Sequence, residues 1–101
     1  MNISIPTEDV AGVLKQDLEG RLEVMDDVGL KDSPDYTDMD AVADLLRTAK
    51  VFPATLELSD TETQQAAIAV QNCRDFADEV AETMAALNRL ADTLKQAGYP
   101  R

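Results

Sequence analysis

The chain has 101 residues, 45% hydrophobic and only 4% aromatic, with no His, no Trp and one Cys. That length allows one domain, residues 1–101, around a single small aliphatic core. Nine Lys and Arg against twenty Asp and Glu leave a formal charge of -11, which repels nucleic acid and anionic membranes, so no direct binding to either is expected. With His absent and Cys73 alone, zinc sites, Ser–His or Cys–His pairs and imidazole acid–base chemistry are excluded within one chain.

The first residues, Met1-Asn2-Ile3-Ser4-Ile5-Pro6, have neither the basic nor the apolar region of a secretory signal, so a cytoplasmic location is expected. No window reaches the roughly 18 apolar residues of a membrane span. A lone Cys73 makes no internal disulfide, in keeping with a reducing compartment.

Thr7 can cap a helix, and Glu8 and Asp9 suit its positive end. Val10, Leu14, Leu18, Leu22 and Met25 then recur every three or four residues, and Gly29 offers a left-handed stop, which predicts a first helix over about 8–28. Gly12 and Gly20 each oppose it by about 1 kcal/mol. An alternative stops the helix at Glu19 and pairs Arg21–Met25 as a strand with Ile3–Ile5, giving an α+β fold with a small N-terminal hairpin.

Ser33-Pro34-Asp35 reads as a connection. Thr37 and Asp40 resemble a capping box, and Val42, Leu45, Leu46 and Ala49 predict a second helix over about 38–50. Residues 51–58 contain Pro53 and read as an irregular connector that tucks Phe52, Leu56 and Leu58 onto the core.

The strongest signal is the Ser59-x-x-Glu62 capping box followed by Ala66, Val70, Cys73, Ala77, Val80, Met84, Leu87, Ala91 and Leu94. Their spacings alternate between four and three, a heptad pattern that Ala69, Phe76 and Leu90 widen on one flank. Gly98 and Pro100 supply a stop, so a third helix is predicted over about 60–97, on the order of 57 Å long. The expected fold is therefore an all-α bundle of about three helices with a long C-terminal helix. Such a helix outruns its partners, and its small residues invite a second copy: a homodimer joined through Val70, Ala77, Val80, Met84, Leu87 and Leu94. The alternative is a break near Gln71-Asn72 that makes a four-helix monomer.

Residues 7–44 hold twelve acids and three bases, a local balance of -9. Charge of this kind often serves only solubility. Asp26 and Asp27, however, fall in the last turn of the first helix, where they oppose its dipole, and Asp32, Asp35, Asp38 and Asp40 continue the cluster. These six carboxylates are the candidate surface for a basic protein partner. Their spacing does not fit an EF-hand, since counting from Asp32 puts Pro34, Tyr36 and Thr37 at positions that need two acids and a Gly. No phosphate-binding loop and no acid–base pair in a cleft stands out, so neither enzyme activity, nor a metal site, nor a cofactor is expected.

Cys73 and Met84 read as core, Met25 and Met39 as core or rim, and Tyr36 and Tyr99 as modest contact anchors beside connections. The function these features favour is a non-catalytic protein-binding module: a small acidic regulator, adaptor or inhibitor. Two alternatives remain. One is an inhibitor that mimics the nucleic-acid backbone, of the type mobile elements carry. The other is an assembly protein that oligomerises through residues 60–97.

Overall fold

The computed structural model describes residues 1–101 as two strands and four helices: β1 (Asn2–Ile5), α1 (Glu8–Asp27), α2 (Pro34–Thr48), β2 (Ala54–Glu57), α3 (Asp60–Phe76) and α4 (Ala81–Gln96). α1 lies at the centre, packing on α2, α3 and α4, while α2 also packs on α3, and α3 on α4. One core of 22 buried hydrophobic residues is shared by all six elements. The radius of gyration is 12.7 Å, which matches the roughly 13 Å of a compact 100-residue domain. No helix is long and apolar enough to cross a membrane.

α1 is continuous through both glycines. Thr7 accepts from the Val10 N–H at 3.2 Å, and Val10, Ala11, Leu14, Leu18 and Leu22 are buried along one face. Burying each Leu contributes about 1.5–3 kcal/mol, more than the roughly 1 kcal/mol that each glycine costs. Gly29 follows at φ 79°, in the left-handed region where glycine ends helices without strain.

The all-α expectation is corrected by a small antiparallel sheet. β1 does alternate as the hairpin alternative supposed, with Ile3 and Ile5 buried, but its partner is β2 and not Arg21–Met25, which is helical. Ile3 faces Leu56 and Ile5 faces Ala54, and the Leu58 N–H extends the ladder to the Met1 carbonyl at 3.0 Å. Residues 54–57 are thus a regular strand inside the expected irregular connector. Proline masked it: Pro53 immediately precedes β2 and therefore removes no ladder donor from it. Leu56 and Leu58 are buried as expected, with Phe52 half-buried.

α2 begins four residues before its predicted start. Pro34, which reads as a loop residue, occupies the first turn, where its missing N–H is harmless, and the Ser33 hydroxyl caps by accepting from the Tyr36 N–H at 3.3 Å. Thr37 is then inside the helix, its hydroxyl aimed back at the Ser33 carbonyl.

The predicted helix over 60–97 is two helices. The capping box forms as expected, with the Ser59 N–H donating to Glu62 at 2.8 Å and the Glu62 N–H to the Ser59 hydroxyl at 3.2 Å. α3 stops at Phe76, the chain turns through 77–80, and α4 folds back onto α3 and α1. The break lies a turn beyond the Gln71-Asn72 alternative. Its physical reason is burial, since a straight 38-residue helix would exceed the 37 Å longest dimension of the molecule. Folding back lets Ala66, Val70 and Cys73 share one core with Leu87, Leu90 and Leu94. Phe76, expected to add apolar bulk to the stripe, is instead 85% exposed at the turn.

Candidate interaction surface at the α1–α2 end

The six candidate carboxylates do not share one environment. Asp26 and Asp27 occupy the last turn of α1, which contains no basic residue. Asp26 reaches Lys31 only at 3.9 Å, between two exposed side chains, a pairing worth little. Asp35 lies in the first turn of α2, where the dipole favours it, so local helix energetics alone account for this acid. Asp32 is exposed just before that helix and Asp38 is half-buried within it. No cation lies within 4.0 Å of Asp27, Asp32, Asp35 or Asp38.

Asp40 belongs elsewhere. It shares Arg47 with Glu19 and Asp44, at 3.6, 3.0 and 3.6 Å respectively. The hydrogen bond to Glu19 comes first among the causes that raise the Arg47 pKa. This network straps α1 to α2 across the surface, and its carboxylates are already engaged.

Apolar side chains at the same end are a feature that the charge pattern did not predict. Val24 is 62% exposed, Val28 64% and Leu30 49%. Val24 and Val28, four residues apart, neighbour each other on the helix surface, and the Leu30 N–H bonds the Met25 carbonyl at 2.8 Å, folding the chain back across the helix end. The exposed Val24, Val28 and Leu30 thus flank Asp26 and Asp27 in sequence. The position of Val24, off the stripe of Val10, Leu14, Leu18, Leu22 and Met25, was a sequence signal for this patch.

The proposed seam residues are largely internal to one chain. Val70, Leu87 and Leu94 are fully buried in the core, Ala77 and Met84 pack partly against it, and Val80 is 66% exposed. Tyr36 and Tyr99 are both partly buried against the core. Tyr99 also donates its hydroxyl to Asp60, which Arg101 holds as well, at 2.6 Å through one guanidinium nitrogen. Those two bonds, Arg101 first, keep the Asp60 carboxyl below its usual range. The cluster pins residues 99–101 to the start of α3, and nothing in the spacing of Asp60 and Arg101 announced it.

No group of three or more His, Cys, Asp or Glu side chains is arranged to hold a metal ion. Cys73 is buried, its thiol 3.5 Å from the Val13 carbonyl. Desolvation, reinforced by the Asp17 carboxylate and opposed by Arg21, pushes its pKa up to about 12. The folded state therefore favours the neutral thiol. Its contribution to stability is complete below the unfolded pKa of about 8.5 and declines as pH rises from there toward 12. Two results are expected. Relative to Cys73→Ala, the wild-type chain loses denaturant resistance above pH 9, and a disulfide reagent at pH 8 labels the native thiol far more slowly than the thiol in guanidinium. Equal labelling rates would place Cys73 at the surface.

Comparison of the chain with family models, with curated proteins and with solved structures finds no match. The functional reading therefore rests on the chain's own surface.

Proposed function

We propose that this protein is a non-catalytic binding module whose α1–α2 end docks on a basic protein surface. The observation that supports this reading most strongly is the last turn of α1, where Asp26 and Asp27 oppose the helix dipole beside the exposed Val24, Val28 and Leu30. Each of those acids costs the free protein about 0.3–1 kcal/mol. Exposed apolar side chains beside weakly compensated like charge suit an interface whose apolar centre excludes water and whose charged rim meets the opposite sign.

The test separates folding from binding. Replacing Asp26 and Asp27 by Asn should leave the free protein as stable or slightly more so. Extending the change to Asp35 and Asp38 should weaken the co-purifying partner about tenfold or more, the equivalent of 1.4 kcal/mol, and flatten the salt dependence of binding. Unchanged affinity and salt slope, with circular dichroism intact, would remove this end as the binding surface. A duplex that competes for the same partner site would narrow the function to nucleic-acid mimicry, and a partner indifferent to duplex would leave ordinary protein recognition.

A further inference from the structure

We infer that residues 77–80 are a hinge through which two copies of this chain exchange α4, with α3 and α4 fusing into one continuous helix. This proposal is independent of the reading given to the α1–α2 end.

The apolar register runs through the turn without interruption. On a continuous helix at 100° per residue, Phe76 and Val80 fall on the same face as Ala69, Cys73, Thr83 and Leu87, while Asp75, Asp78 and Glu82 fall on the opposite side. The turn discards that alignment, leaving Phe76 85% and Val80 66% exposed. It also contains neither Gly nor Pro: Ala77-Asp78-Glu79-Val80 can all continue a helix.

Backbone bonding gives a second, independent reason. The Ala77 N–H reaches the Cys73 carbonyl and the Met84 N–H reaches the Val80 carbonyl, each at 3.0 Å, but none of the six amides between them donates to the protein backbone. Val80 caps α4 without any side-chain bond, unlike Thr7, Ser33 and Ser59, which each cap a helix. Fusion would give all six amides helical partners.

The occupant is a second copy because α4 already has a complementary surface, on α1 and α3 of its own chain. Exchange recreates every α4 contact in trans and requires no new interface outside the hinge. At the crossing, Phe76 and Val80 of each copy would meet their counterparts. Residues 74–82 carry four acids and one base, so the two hinges repel one another, and salt should favour the exchanged form.

The full chain would be refolded by cooling from heat across micromolar to millimolar concentration, in low and high salt, and followed by light scattering and small-angle X-ray scattering. A dimer should appear at high concentration, rise with salt and contain a helix of about 55 Å, longer than the 37 Å monomer. Ala81→Pro should abolish it. Residue 81 is the first of α4, where proline suits the monomer and its N–H is unbonded, and Val80 at φ -61° and ψ 154° accepts a following proline. In the fused helix the same proline loses a bond and clashes with the preceding turn. Asp78→Ala should raise the dimer fraction. A chain that stays monomeric under all these conditions, or a dimer that Ala81→Pro leaves untouched, would overturn the proposal.

Discussion

Leu87→Asp is expected to unfold the chain at neutral pH, eliminating its helical circular dichroism signal. Leu87 is fully buried in α4, inside the core shared by α1, α3 and the sheet. A carboxylate there has no partner. Whether it stays ionised or takes up a proton, the cost of its burial added to that of the lost side chain approaches the roughly 5–15 kcal/mol that separates folded from unfolded domains. Leu87→Ala is the graded version, with a loss of about 2–5 kcal/mol, read from urea denaturation. A folded Leu87→Asp monomer would show that Leu87 faces another molecule and not the core.

Ile5→Ala is expected to lower stability by about 2–5 kcal/mol, a fall in Tm on the order of 10 °C or more for a domain of this size. Ile5 has no exposed surface although it lies in a four-residue edge strand near the start of the chain. Its neighbour Ser4 points outward, so Ser4→Ala should change Tm by far less. Thermal melts of the two variants side by side check the register of β1 on β2. Equal effects would mean that the strand does not bury its odd-numbered face.

Local chemistry was legible in the sequence wherever one short motif decides the outcome. The Thr7 cap, the Gly29 stop and the Ser59–Glu62 box each form between residues within a few positions of one another. Pro34 was misread because proline serves equally in a loop and in the first turn of a helix, and the Ser33 hydroxyl decides between them. The sheet was harder, since Ile3 and Leu56 are brought together only by the packing of the two helices between them. The heptad stripe over 66–94 identified much of the core, Val80 and the flanking Phe76 excepted, and the wrong shape. Periodicity reports which faces are apolar, and a helix bent back on itself buries those faces as well as a straight one with a partner does.

For the candidate surface, charge counting marked out one acidic segment of the chain but could not rank its members. Asp40 belongs to the Arg47 network and Asp35 favours the α2 dipole, so neither stands apart from the fold as Asp26 and Asp27 do. Val28 continues the α1 stripe on paper, yet it is the residue that follows the last turn of α1 and is exposed. Burial at a helix end depends on where the neighbouring helix begins, which no local pattern encodes.

The most direct test of the proposed binding role is amide hydrogen exchange on the free chain and on its complex with a partner captured by co-purification. Binding through the α1–α2 end predicts slower exchange across residues 23–38, with the exposed faces of α4 and the sheet unchanged. Protection confined to α4 or to the β1–β2 sheet, with residues 23–38 exchanging as in the free protein, would contradict it.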